Sequence, residues 1–322
     1  GVEEPALIST CRQGYFDNGA FLGLGGRHWP AGAFTWPAMA ELKARAAALE
    51  TEPGGAKPAA QLTVADGIDI GKLQATLRTE DRAMVQVASN FNCLENPSRS
   101  CPPDYGRLVE NYALDSTQGP AASFGVPAAC LLRAHYAFHE PTLPAEQWGQ
   151  TAERQVDLLE DVRKYFGTCK NGKATLIGEE EALSAEDVSR VAESIKVGLH
   201  TDAEVVFGRR DRSSLQLLGE PFAKVDQVLS ASMNWSSPGV RPPQEQLETL
   251  TRAALRAAYE GAYSAAIVRG RRLLLLTLVG GGSFCNPEDM ILEELAAAHA
   301  RWASHPACAL EEVRLCLYPK GE

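Results

Sequence analysis

The densest group of side chains with chemical potential lies where a buried apolar run, Leu273 to Val279, breaks into Gly280-Gly281-Gly282-Ser283-Phe284-Cys285-Asn286. Glycines at the carboxyl end of a strand let successive backbone N–H groups point into one concavity. A helix expected from about Pro287 adds its positive N-terminus, and the combination suits phosphate. No Gly-Lys-Ser/Thr follows and no G-x-G-x-x-G spacing is present, so the expected grip is made by backbone groups alone; a tight turn without a ligand is the alternative. At Gly282 a β-branched side chain is expected to occlude the ligand or to deny the backbone its required φ. A second group, Asn90, Asn92 and Glu95, follows the apolar run Ala83 to Ser89 in one short loop. Amides donate and accept at once, which suits ribose hydroxyls and base edges; capping of the loop by asparagine is the other reading. Asp115, Thr117, Gln118 and Gly119 form a third loop, open to a ligand role or to a plain turn. His200 and Asp202 flank an expected strand break, where an imidazole beside a carboxylate could move a proton, and a simple surface pair competes with that interpretation.

Positioning these loops requires a scaffold, and the chain can supply one. Its 322 residues, 45% hydrophobic and 22% charged, match an ordinary globular composition and exclude a disordered, collagen-like or coiled-coil chain. Residues 1–60 read as an N-terminal extension of aromatic and glycine-rich loop with one helix, Pro37 to Leu49, closed by a turn-rich linker, Thr51 to Pro58. Residues 61–322 read as the functional domain. Strands are expected at 83–89, 195–199, 203–207, 225–232, 272–279 and 311–317. Helices are expected at 71–79, 126–139, 150–166, 184–194, 244–268 and 287–302, the 184–194 helix opening on a capping-box-like Ser184-Ala-Glu-Asp187. Strand and helix alternate in the second half, which predicts an α/β fold with a largely parallel sheet covered on both faces.

Charge and cysteines narrow the partners. Lys plus Arg total 31 against 41 acidic residues, a net charge of -10 that disfavours nucleic acid and anionic lipid. The basic clusters Arg209-Arg210-Asp211-Arg212 and Arg269 to Arg272 are expected on solvated loops. Eight cysteines without a C-x-x-C pair argue for reduced structural thiols, no metal site and no disulfide between Cys93 and Cys101. The longest apolar run is far below the roughly 20 residues that cross a bilayer, and the first residues carry no apolar core, so a cytoplasmic protein without a membrane partner is expected.

Four segments together, Gln86-Val-Ala-Ser-Asn-Phe-Asn-Cys-Leu-Glu95, Asp115-Ser-Thr-Gln-Gly-Pro120, Gly198-Leu-His-Thr-Asp202 and Leu276-Thr-Leu-Val-Gly-Gly-Gly-Ser-Phe-Cys-Asn286, resemble the motif set of a macrodomain-like family related to arginine-specific (ADP-ribosyl)hydrolases. The resemblance covers about residues 70 to 318. It implies a three-layer α/β/α macrodomain with a mixed sheet and an ADP-ribose pocket. It sets the Gly280 to Phe284 loop against the diphosphate, Phe284 on the distal ribose and Asn92 near that ribose, with Asn90, Thr117, Gln118, Gly119, His200 and Asn286 among the ligand contacts. Cys285 departs from the glycine expected after the aromatic residue, and Asn90 stands where related sequences carry Gln. Trp148-Gly-Gln-Thr-Ala-Glu-Arg-Gln-Val-Asp157 matches the family too, with a packing role.

The reading that follows is an enzyme removing mono-ADP-ribose from a modified side chain, arginine first, with a mono-ADP-ribosylated protein as partner, ADP-ribose as product and no cofactor. Cleavage builds positive charge at the anomeric carbon, so a nearby carboxylate would activate water; Asp202, then Glu95 and Asp115, are the candidates. A non-catalytic ADP-ribose-binding module and a nucleotide-sugar or NAD-metabolite enzyme on the same fold are the alternatives.

Overall fold

The computed structural model describes residues 3–5, 16–22, 26–49, 58–98, 100–115, 117–211 and 214–319. The expected linker at 51–58 lies, except for Pro58, outside the described residues, as do Cys11, Tyr15, Gly23, Gly25 and Arg212. Seven strands form the central sheet: β1 (Ala33–Thr35), β2 (Gln61–Ala65), β3 (Ala83–Ala88), β4 (Gly198–Val205), β5 (Ala223–Ser230), β6 (Leu273–Leu276) and β7 (Glu312–Cys316). Their order is β1-β4-β5-β3-β6-β7-β2. From β5 to β2 every neighbouring pair is parallel, and β4 alone runs against its neighbours β1 and β5.

Alternation along the strands explains why both faces are covered. Met84 of β3, Val228 of β5, Leu274 and Leu276 of β6 and Val313 and Leu315 of β7 share one core with the helices α8 (Gln244–Val268) and α9 (Glu288–Trp302), through Leu255, Tyr259, Ile291 and Leu295. Ala83, Val85 and Val87 of β3, with Leu229 and Leu275, face the opposite core, where Ile70, Ala122, Val126 and Phe166 pack. A strand buried on both sides has no polar face to spare, hence the near-continuous apolar runs at β3 and β6. The three-layer α/β/α arrangement with a mixed sheet is therefore present.

The first 60 residues supply edge strand β1, paired with β4 at Phe34↔His200, and helix α1 (Met39–Ala47), whose Leu42 and Ala46 are fully buried in the α8 core. Helix α8 has the bounds its sequence pattern predicts. Three expectations are corrected. The helix expected at 150–166 is mostly extended loop ending in a short helix, Arg163–Phe166; its backbone is spent on neighbours, Leu158 donating to Phe91 and Lys196 to Leu158. The strand break at His200 to Asp202 does not exist, because β4 runs through it with a bulge opposite β5. Arg209 is not on a solvated loop: it is buried in a short hairpin strand, Phe207–Asp211, and paired with Asp69 at 3.3 Å. Cys93 and Cys101 are free thiols. No helix is long and apolar enough to cross a membrane among the described residues.

Candidate functional site

In an open parallel sheet, ligands bind beyond the carboxyl ends of the strands, where successive connections leave in opposite directions. Here β3 lies between β5 and β6, and the chain leaving β3 goes toward β4 and β5 while that leaving β6 goes to β7. Three loops therefore meet at this end: the one after β3 (from Ser89), the one after β5 (from Ala231) and the glycine loop after β6. Ser89 N–H donates to the Ser230 carbonyl at 2.9 Å and holds the first two together. Three buried polar atoms at this same end, Asn90 Nδ2, Ser230 Oγ and Thr277 Oγ1, have no hydrogen-bond partner among the described residues.

The glycine loop is built from specific constraints. Gly280 has φ +77, and a β-carbon on it would fall 2.6 Å from Asn286 Oδ1, so only glycine fits. Gly282 has no left-handed backbone angle and open space around it, so the expectation that its φ demands glycine is not met. Gly281 N–H is committed to the Leu278 carbonyl. The next three N–H groups, of Gly282, Ser283 and Phe284, have no partner among the described residues. The carbonyls of Ser283 and Phe284 turn the other way, accepting from Ser236 Oγ and from Trp235 N–H. Successive N–H groups left without a partner, beside carbonyls that are already engaged, are what an anion cradle requires. Asn286 is buried as the clamp of this loop, accepting from Ser232 Oγ and donating to the Met233 carbonyl, so its amide is not left for a ligand.

The loop after β3 divides its two asparagines. Asn92 is fully buried and its amide fully used: Oδ1 accepts from Leu94 N–H, and Nδ2 donates to Asn96 Oδ1 and Gln155 Oε1. The expected ribose contact would have to compete with these bonds, since the side chain is buried and both its oxygen and its nitrogen already hold partners. Asn90 Oδ1 instead accepts from Lys173 Nζ at 3.2 Å. Gln150 and Gln155, from the Trp148 to Asp157 segment, are the supports: Gln150 Nε2 donates to the Asn92 carbonyl. Their role is hydrogen bonding to the loop rather than packing alone.

Glu95 ends this loop, its N–H donating to Tyr112 Oη at 2.5 Å. Burial drives its carboxyl pKa up to about 8, with Lys173 opposing the rise and Asp115 adding to it. Beside it lies the first turn of α4 (Gln118–Gly125), and Gly119 approaches so closely that a β-carbon would be 2.7 Å from Glu95 Oε1. Asp115 is exposed and its Oδ1 accepts from Thr117 N–H and Oγ1. Arg209 locks this turn, donating to the carbonyls of Asp115 and Thr117. Gln118 Oε1 accepts from Ile70 N–H, a structural bond.

His200 and Asp202 are not brought to this end. Asp226 accepts from Asp202 N–H and pairs with Met84 at the start of β3, whereas Ser230 pairs with Ala88 at its end; four residues of strand, roughly 13 Å, lie between. Asp202 is ion-paired with Arg269 at 3.0 Å, and Asp226 with Arg269 and Arg271, so these two arginines of the Arg269 to Arg272 cluster are neutralised structurally. His200 is wholly buried, with its pKa lowered to about 3 by desolvation and then by Arg133. Its Nε2–H donates to the Ala31 carbonyl and its Nδ1 accepts from Arg133 Nη1, which fixes a neutral tautomer unsuited to proton transfer. The amino end of the sheet also carries a groove of about 520 Å³. Its charges are paired among themselves, Arg272 with Glu311 and Arg78 with Asp81.

Lys173 is the residue that sequence reasoning missed. It follows an Asn171-Gly172 turn with φ +50 and +74 between Thr168–Lys170 and Lys173–Thr175, the pattern that two-residue hairpins favour. That dipeptide was the available signal for the hairpin. Nothing local reveals that it docks on the site, where Gly172 O accepts from Phe91 N–H.

No protein-family model matches the sequence, and no curated protein matches it. Among solved structures, the chain is similar to poly(ADP-ribose) glycohydrolase from Thermomonospora curvata, at 13% identity over 98% of this chain and 92% of that one, with a TM-score of 0.46. The same enzyme bound to the inhibitor ADP-HPD aligns at 14% identity, 98% and 92% coverage and 0.47. Poly(ADP-ribose) glycohydrolase from Deinococcus radiodurans in complex with ADP-ribose aligns at 12%, 90% and 89%, and 0.48. With identities and TM-scores this low, function has to be read from the site itself.

Proposed function

We propose that this protein binds ADP-ribose at the carboxyl ends of β3, β5 and β6 and hydrolyses its glycosidic link to a modified side chain, with arginine as the acceptor. The observation that carries the reading is the Glu95 carboxyl, which is set between the first turn of α4 and Lys173 and whose pKa is raised to about 8. A carboxyl that keeps its proton at neutral pH can serve as a general acid. On the loop after β6, at the same end of the sheet, the unpaired N–H groups of Gly282, Ser283 and Phe284 suit a diphosphate.

The chemistry follows from these placements. As the bond between the anomeric carbon and the guanidine nitrogen breaks, Glu95 gives its proton to the departing nitrogen. Water adds to the anomeric carbon and loses its proton to a carboxylate, for which Asp115 is the candidate because Glu95 feels its charge. Asp202 is withdrawn from the catalytic role for the geometric reason given above. The arginine acceptor, and with it a mono-ADP-ribosylated protein as partner, rests on the resemblance of the four motifs. Incubation with mono-ADP-ribosylated arginine peptide, with mass spectrometry following free ADP-ribose, tests the whole reading. Binding of ADP-ribose without any release from the peptide would leave a recognition module, and no binding at millimolar ligand would remove both.

A further inference from the structure

The glycine loop has no lysine in its own sequence, yet the fold brings one to it. Lys173 Nζ lies 3.2 Å from Asn90 Oδ1, on the loop after β3, and 5.7 Å from the centre of the Phe284 ring, on the glycine loop. One ammonium thus links the glycine loop to the loop after β3, which also carries the orphan Asn90 Nδ2. The hairpin carrying it cannot drift. Its Gly172 has no room for a β-carbon, which would lie 2.2 Å from Asn92 Oδ1, and its Asn171 Oδ1 accepts from Gln155 Nε2. The chain as a whole carries a net charge of -10, and the Asp115 carboxylate sits at the same end of the sheet, so a doubly charged anion approaching these loops meets repulsion unless a cation is placed there.

We propose that Lys173 is the cation that reads the diphosphate of the bound ligand, completing from a distant hairpin the phosphate site that the glycine loop begins with backbone N–H groups. The inference rests on the ADP-ribose reading and adds a specificity residue to it. An ammonium aimed at phosphate contributes a charge-assisted bond, while the neutral loop donors contribute shape. Asn90 then acts as a positioning residue, its Oδ1 holding the ammonium between the loops, and Phe284 offers its ring face to the same charge. Ligands that keep the diphosphate should depend on Lys173, and ligands that lack it should not. The competing role for the same side chain is that of a counter-charge acting only on Glu95. The two differ in outcome, because a counter-charge would move the pH dependence of turnover and leave ligand affinity in place.

The test is calorimetric titration of the full chain, as wild type, Lys173→Met and Lys173→Arg, with ADP-ribose and with adenosine, at about 50 and about 300 mM salt. Lys173→Met is expected to weaken ADP-ribose by about tenfold or more, to flatten its salt dependence and to leave adenosine within about twofold. Lys173→Arg should keep most of the affinity and the salt dependence, which guards against a folding defect in the methionine variant. Unchanged ADP-ribose affinity in Lys173→Met, or equal losses for ADP-ribose and adenosine, would overturn the assignment. Failure of the wild type itself to bind ADP-ribose would instead overturn the reading on which it stands.

Discussion

Glu95 and Gly119 face each other across the end of β3 so closely that a β-carbon on Gly119 would lie 2.7 Å from Glu95 Oε1 and 2.2 Å from the Ala88 carbonyl oxygen. The carboxyl can move; the carbonyl belongs to the sheet and cannot. Gly119→Ala should therefore push the first turn of α4 off the sheet and cost about 1 to 3 kcal/mol, as overpacking does. Urea unfolding of the variant checks this, and a stability equal to wild type would mean that the helix is free to slide away from Glu95.

The raised pKa of Glu95 has a consequence for stability against pH. The folded carboxyl holds its proton up to about 8, while the unfolded one loses it near the ordinary 4.5. The folded state therefore binds more protons between these values, and this group's contribution to stability, complete below about 4.5, is lost as pH rises through about 8. Wild type should lose stability from pH 5 to pH 8 relative to Glu95→Gln, whose contribution is flat. Parallel urea curves of the two proteins over that range would show that Glu95 ionises normally.

The glycines of the loop after β6 should separate. Gly280→Ala meets a left-handed φ and the Asn286 clamp, so it should disturb the loop and weaken ADP-ribose. Gly282→Ala meets neither and should leave thermal stability unchanged. Thermal melts and ADP-ribose titrations of both variants report the difference, and equal tolerance would contradict the loop geometry.

At the opposite end of the sheet, Asp202→Ala breaks an ion pair with Arg269 and touches nothing in the crevice. Turnover in this variant should stay within about twofold of wild type, since an exposed ion pair contributes little. A hundredfold loss in a rate assay would return Asp202 to the site.

Several of these distinctions were legible in the residues and several were not. The strand ending in glycines was, because an apolar run buried on both faces and a forced turn are both local properties. The same holds for α8, whose small apolar residues repeat at helical spacing from Leu247 to Ile267. The segment at 150–166 looks helical but is not, because Gln150 and Gln155 spend their amides on a loop some 60 residues earlier, and that pairing leaves no mark in local periodicity. Asn90 and Asn92 look equivalent in sequence. Only the tertiary contacts consume one and leave Nδ2 of the other unpaired. Asp202 looked attractive beside His200, and the antiparallel course of β4 carried both away from the end where the loops gather. Lys173, on a separate hairpin, could not be joined to Phe284 without the fold.

The proposed proton donor in glycosidic cleavage is Glu95. Its most direct measurement pairs single-turnover hydrolysis of mono-ADP-ribosylated arginine peptide with ADP-ribose titration, in wild type and Glu95→Gln. Loss of hydrolysis by roughly 10²- to 10⁴-fold, with ADP-ribose affinity kept within a few fold, is the predicted result, because a general acid is needed in the transition state and not in the ground state. Wild-type turnover in Glu95→Gln would contradict the account.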